Sequence, residues 1–411
     1  MSPTAFLHPF TPPTADDFIN IVRGEGAHVF DDEGNRYIDA MASLWYCNVG
    51  HGRGEIADAV AEQLRTLDAF HTFERFTNPP AERLCARLAA LAPMDDPRVF
   101  LVCSGSEAVD TALKFARLSH RLAGDDQRSV VISRAPSYHG VTYGAVTATG
   151  LPANQEGFGP LLPDVVHVPH DDLSAVEQIA AERGTELAAI IAEPVVGAGG
   201  VYPPVEGYLD GLRRVCDETG AWLILDEVIC GFGRLGTWWG AQRFGVEPDL
   251  VTFAKGVSSG YLPLGGVLVG RRVRERLEQE PARKLAHGHT YSGHPACCVA
   301  ALTTLDITER EGLLERAPRI GARLSDGLRD LADRGVVEGV RGDGAVWAVA
   351  LADDLDASAV REHAMRLGMI PRPIGTSTIS FCPPLVIEFD DIDRCVDVLE
   401  QAITATRVAN V

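Results

Sequence analysis

The sequence predicts an α/β protein: a mostly parallel sheet covered on both faces, followed by a smaller α/β unit. Three observations carry this. Between about residues 99 and 270, short apolar runs alternate with amphipathic segments. These runs are continuous rather than alternating, as in Val99-Phe100-Leu101-Val102, Val130-Val131-Ile132, Ala189-Ile190-Ile191-Ala192, Trp222-Leu223-Ile224-Leu225 and Leu250-Val251-Thr252-Phe253. Continuous apolar strands separated by helices are buried on both sides, as in parallel sheets with helical crossovers. After residue 295 the pattern shifts to long helices with a few short strands.

The elements follow in order. Residues 1–27 are Pro-rich and weakly patterned, a segment expected to lie across another surface. Residues 28–39 read as a hairpin around Glu33-Gly34-Asn35. Residues 56–67 and 80–91 have helical periodicity, and Ser104-Gly105-Ser106-Glu107 opens a helix over 108–120. Gly265-Gly266-Val267-Leu268-Val269-Gly270 adds a strand. Residues 296–309 and 314–334 read as long helices, followed by a strand at 346–351, a helix near 357–367 and a strand at 379–381. The expected organisation is an N-terminal segment, 1–50, packing with a small domain at 296–411, and a large domain at 51–295.

Composition narrows the function. Of 411 residues, 46% are hydrophobic and 23% charged, an ordinary globular balance. A net charge of −20 argues against nucleic acid and anionic membranes as partners, since both call for a basic face. No apolar run approaches the length of a membrane span, and the N-terminus has no basic-then-apolar leader pattern. The nine cysteines are scattered without a CxxC pair, so neither a zinc site nor a redox dithiol is indicated. The expected location is the reducing cytoplasm.

Lys255 is the residue around which these elements are arranged. The chain has three lysines among its 37 basic residues. Lys114 reads as part of a solvated helix face, and Lys284 lies beside Arg283 with no apolar frame. Lys255 instead ends an apolar strand-like run and precedes Gly256. Such a strand end faces the crevice where α/β proteins place ligands. A half-buried amine there acts as a nucleophile towards carbonyls. Position alone favours a surface lysine; its neighbours decide otherwise.

Ser104-Gly105-Ser106 combines hydroxyls, a permissive glycine and free N–H groups at a helix start, either a cradle for phosphate or a plain N-cap with a turn glycine. Tyr138, followed by His139 and Gly140, puts an aromatic ring at the rim, to stack on a flat ligand or merely to pack. Glu193 ends another strand, as a ligand group or a satisfied loop acid. Asp226 terminates Trp222-Leu223-Ile224-Leu225, where an isolated carboxylate is costly to ionise. It requires a partner, either an arginine or a protonated ring nitrogen.

Two motifs mislead. Leu223-Ile224-Leu225-Asp226-Glu227 looks like a Mg²⁺-binding strand, but no phosphate-binding G-x-x-x-x-G-K-[ST] loop accompanies it. Gly231-Phe232-Gly233-Arg234-Leu235-Gly236 matches a dinucleotide fingerprint, yet Thr237-Trp238-Trp239-Gly240 is a poor helix start and the site lies halfway along the chain. The remaining set is a phosphate cradle, a stacking ring, an acid for a ring nitrogen and one amine. Pyridoxal phosphate needs all four.

The chain also resembles the class III aminotransferases, of the fold type I pyridoxal phosphate enzymes. The resemblance spans nearly its whole length. It is carried by Ser104-Gly105-Ser106-Glu107-Ala108, Tyr138-His139-Gly140, Ala192-Glu193-Pro194, Asp226-Glu227-Val228, Ala254-Lys255-Gly256 and Thr290-Tyr291-Ser292-Gly293-His294-Pro295. It implies a large domain with a seven-stranded sheet and a homodimer, alone or within a tetramer. By the same resemblance Lys255 forms the Schiff base and shuttles the proton, and Asp226 pairs with the pyridine nitrogen. Val228 packs opposite Tyr138, Gly105 and Ser106 hold phosphate beside Ser104 and His139, and Glu193 lies near the ring. Thr290 reaches the phosphate of the partner subunit.

His8-Pro9-Phe10, Leu44-Trp45-Tyr46, Gly50-His51-Gly52-Arg53 and Thr72-Phe73 resemble the ω-amino acid and amine:pyruvate branch. This implies Phe10, Trp45, Phe73 and Tyr138 around the substrate. It also implies Arg372 as a mobile partner for the carboxylate of a keto acid, with pyruvate the expected acceptor. Cys103 and Cys230 depart from the family's usual Asn and Thr, and the stretch 152–172 is short. Alternatives on the same scaffold are a diamine or α,ω-diamino acid aminotransferase using 2-oxoglutarate, and a decarboxylase or epimerase. Intact Lys255, Asp226 and Tyr138 oppose a non-catalytic binding protein.

Overall fold

The computed structural model describes residues 5–409. Its centre is a seven-stranded sheet in the order Arg98–Val102, Gly265–Val269, Leu250–Phe253, Trp222–Asp226, Leu187–Ala192, Val130–Ala135, Val165–Pro169. Gly265–Val269 runs antiparallel to both its neighbours, and the other pairings are parallel. The continuous apolar runs are explained by the two faces. Trp222 and Ile224 join the core beneath the helix Gly105–Leu122, whereas Leu223 and Leu225 join the opposite core with Leu84, Leu88 and Leu212. Both sets must be apolar, so the strand shows no alternation.

Two further sheets, each of four strands, flank this layer. Ile21–Glu25, His28–Asp31 and Arg36–Asp39 form an antiparallel meander. Its last strand pairs in parallel with Met369–Ile370, so the N-terminal segment is stitched to the C-terminal part of the chain. Gly339–Asp343, Val346–Ala350, Thr378–Phe381 and Arg372–Ile374 make the third sheet. The helices Pro295–Arg310, Leu313–Asp333 and Phe389–Ala409 enclose a second core with it. Ile56, from the helix Gly54–Thr66, is buried in that core too.

The glycine-rich stretch after Asp226 has a structural task. Arg234 is fully buried and donates to Asn48 Oδ1 at 2.8 Å, Pro383 O at 2.7 Å and Ala345 O at 3.1 Å. Asn48 Nδ2 returns a bond to Phe232 O at 2.9 Å. One guanidinium thus ties the central sheet's loop to the N-terminal segment and to the C-terminal unit. Gly233, at φ +97°, allows the turn that aims it inward.

Three strands carry weak signals in the sequence. Ile21–Glu25 is almost wholly exposed, and Gly339–Asp343 (Gly-Val-Arg-Gly-Asp) is half-buried. Val165–Pro169 is the sheet's outer edge, with an exposed His167 and Pro169. An edge or half-wet strand need not be apolar, so composition does not reveal it.

Candidate active site

The parallel strands end together, and their ends bring separated residues into one hollow. Asp226 is the last residue of Trp222–Asp226 and pairs with Thr252 on the next strand. Lys255 follows three residues later at φ +49°, a left-handed conformation that costs a non-glycine residue about 1 kcal/mol or more. A cavity of about 140 Å³ is lined by both, together with Tyr138, His139, Glu193, Val228, Gly105 and Ser106. Eight of the residues singled out from sequence therefore share one wall.

Asp226, His139, Glu193, Tyr138 and Val228 are held from behind. Asp226 Oδ2 meets His139 Nδ1 at 2.6 Å, and Oδ1 accepts the Val228 N–H at 3.1 Å. The His139 backbone N–H donates to Thr149 Oγ1 at 2.9 Å. Glu193 Oε1 accepts from Tyr138 N at 3.1 Å and Oε2 from Gly197 N at 2.8 Å, while Arg134 donates to its backbone oxygen. Burial pushes the Glu193 carboxyl up, against His139 and those two N–H groups. Burial also pushes the Lys255 amine down, against the pull of Asp226 and Glu193. A lowered lysine has a larger neutral, nucleophilic fraction near pH 7.

The cradle is the start of an 18-residue helix, Gly105–Leu122. Ser104 does not line the cavity: its Oγ caps the helix by accepting from Glu107 N at 3.2 Å. Glu107 Oε2 accepts from Cys103 N, one residue ahead of the cap, at 2.7 Å. The N–H groups of Gly105 and Ser106 have no carbonyl four residues earlier within the helix and remain available to an anion. Ser106 Oγ accepts from Val141 N at 3.0 Å and keeps its own hydrogen for an acceptor.

A side chain at Gly105 would sit 3.1 Å from Val228 Cγ1, and one at Gly140 (φ +131°) would land on Ser106 Oγ. Gly140→Ala is therefore expected to displace Ser106 and strain the loop by about 1–3 kcal/mol. The expected result is cofactor affinity about tenfold or more weaker, measured by dialysis and re-titration of the apoenzyme. Unchanged affinity would show that Ser106 does not hold the phosphate.

Glu227 points away from the cavity and anchors its wall. Its carboxylate accepts from Gly240 N at 2.8 Å and Ala241 N at 2.6 Å, and its own N–H bonds Thr252 O at 2.9 Å. The turn carrying Val228 and Ile229 is thereby pinned at both ends. Burial pushes this carboxyl up to about 7, against those two N–H donors. The folded protein then binds the proton more tightly than the unfolded chain. The corresponding stability is complete below the ordinary value of 4.5 and is lost as pH rises through about 7. Its size is about 3 kcal/mol. Melting of Glu227→Gln across pH 4.5–8 should lack this component; an unchanged slope would refute it.

Other residues singled out from sequence lie elsewhere. Arg372 starts the strand Arg372–Ile374, where its charge and the Tyr138 phenol influence one another. Trp45 is buried in a cluster with Ile229 and Cys230, behind the cavity wall. Phe73 lines a larger cleft of about 880 Å³ with Gly288 and Leu285. Thr290 is exposed on a loop, and Phe10 is 79% exposed; neither lines the small cavity. Arg134, Thr149 and Gly197 were missed. A charge following Val130-Val131-Ile132-Ser133 was the available signal for Arg134.

The cavity fits pyridoxal phosphate in its donor set. Two glycines leave a bare cradle, a carboxylate is fixed from two sides, and the one lysine makes no hydrogen bond to a described residue.

Residues 10–403 match the family model described as aminotransferase class-III. The putrescine–pyruvate aminotransferase of Pseudomonas aeruginosa is 37% identical, over 95% of this chain and 91% of that protein. The β-alanine–pyruvate aminotransferase of the same organism is 36% identical, over 93% and 91%. The amine transaminase of an uncultivated Pseudomonas species, solved in its PLP-bound form, is 36% identical with a TM-score of 0.94, covering 98% of this chain and 99% of that one. A match that runs through both cores and every wall of the cavity makes this chain a class III aminotransferase, a pyridoxal 5′-phosphate enzyme of fold type I.

Proposed function

We propose that the chain is an amine or ω-amino acid:pyruvate transaminase. It takes the amino group of a primary amine or ω-amino acid and passes it to pyruvate in a second half-reaction. The observation that carries this reading is the electrostatic influence of Arg372 on Tyr138, a residue that lines the cavity with Lys255. A guanidinium there offers the bidentate fork a carboxylate prefers. The names of the two Pseudomonas aeruginosa relatives support the same acceptor.

Pyridoxal phosphate, when bound, supplies the reactive carbonyl and the electron sink. Lys255 would hold it through Nζ and would hold and move a proton at that nitrogen. Asp226, oriented by His139 and Val228 N, keeps lone pairs free for a protonated ring nitrogen. Tyr138 and Val228 would confine the ring and Gly105 and Ser106 would receive the phosphate, while Glu193 fixes the Tyr138 backbone. Trp45, Phe73 and Phe10 bound the substrate side.

Thr290 is exposed in the single chain, which suits a role at the phosphate of a second copy; the working unit is a homodimer. Residues 51–295 act as the large domain, with 1–50 moving with 296–411. All nine cysteines are free and no described helix is long and apolar enough to cross a membrane, which supports a reducing cytoplasm.

The test is a panel of amine donors offered with pyruvate or 2-oxoglutarate to the purified enzyme. Pyruvate should be preferred with β-alanine, putrescine or a simple arylalkylamine as donor. Strong preference for 2-oxoglutarate would overturn the acceptor assignment. Turnover without any keto acid would overturn transamination.

A further inference from the structure

Outside the active site, the segment 284–287 walls two cavities. The smaller, about 360 Å³, lies between the helix Gly105–Leu122, the end of Arg271–Leu277 and that segment. This is within the usual size range of ligand pockets. Its base is hydrocarbon, from Phe115, Leu118, Leu122 and Leu277. Around it stand Lys114, Arg117, Arg283 and Lys284, with no Asp or Glu in the lining. The chain has 57 acidic and 37 basic residues, so four cations and no acid around one apolar hollow run against the whole surface. Two of its three lysines gather here, and neither belongs to the site around Lys255.

These charges are poorly compensated. Lys114 Nζ donates to His287 Nδ1 at 3.0 Å, and the other ring nitrogen meets Thr111 Oγ1 at 2.9 Å. The ring lies parallel to Phe100, centroids 5.3 Å apart. Burial, with Lys114 next to it, pushes this histidine down to about 4, so it is neutral at pH 7. Lys114 Nζ spends one donor on this ring and has two further donors. Arg117 spends Nε and Nη2 on Ser129 O, at 3.0 and 2.7 Å. Lys284 and Arg283 reach Glu74 and Glu280 only in exposed pairs of 3.4 and 3.7 Å, which hold little.

We propose that this hollow is a second, non-catalytic binding site for an amphiphilic monocarboxylate. Its hydrocarbon tail would lie on Leu118, Leu122 and Leu277, with the carboxylate at Lys114 and Lys284. A small hydrophilic anion gains nothing from the leucines, a neutral tail leaves the cations uncompensated, and an amphiphilic cation is repelled.

Calorimetric titration of the holoenzyme with octanoate should show one saturable site per chain. Octan-1-ol and octyltrimethylammonium should bind about tenfold more weakly or not at all. The double variant Lys114→Gln/Lys284→Gln should weaken octanoate about tenfold, with transaminase turnover retained as the check on folding. Octanoate binding unchanged in that variant would place it at another site and overturn the proposal. So would equal binding of octyltrimethylammonium, or no binding up to about 10 mM.

Discussion

Lys255→Ala is expected to lower transamination by about 10⁴-fold or more, because the nucleophile and the proton carrier are lost with one atom. Lys114 and Lys284 cannot substitute: both are exposed, and neither lines the cavity with Asp226. The cradle and Asp226 are untouched, so cofactor should still bind non-covalently. Borohydride treatment followed by peptide mass spectrometry checks both halves of the expectation. Wild-type protein should carry the cofactor on the Lys255 peptide, and the variant on none. Near-normal turnover, or fixation at another lysine, would refute the assignment.

Asp226→Asn is the second large effect, with kcat expected to fall about 10²–10³-fold. That is the rate equivalent of about 3–4 kcal/mol, within the cost of removing one charge from a buried, paired arrangement. Asn keeps the volume, but its amide group must face either His139 Nδ1 or Val228 N, which now contact the two carboxylate oxygens. The ring nitrogen would lose the anion that keeps it protonated. Steady-state rates with the cofactor spectrum, recorded beside melting temperature, separate this from unfolding. A variant with full kcat and a normal spectrum would remove Asp226 from the chemistry.

Much of the fold was legible because burial on both faces leaves no room for compromise. A strand such as Trp222–Asp226 must be apolar at every position until it reaches the edge. A carboxylate at that point then stands out by contrast. The same logic marks Lys255 and Arg134. It fails where a strand is half-wet, as in Ile21–Glu25 and Gly339–Asp343, because solvent tolerates any side chain there.

The sequence by itself determined the α/β layering, the order of motifs and the small group able to serve pyridoxal phosphate, since these follow from local periodicity and residue chemistry. Only the tertiary structure decided which partners fix those groups. His139 meets Asp226 across 87 positions of sequence, Arg234 meets Asn48 across 186, and Glu227 closes on the Gly240 amide. It also moved Ser104 from the cavity to the helix cap and gathered Lys114 with Lys284 at a hollow no motif announces. Such contacts depend on where strands end relative to one another, a property of sheet order and register that no local pattern encodes.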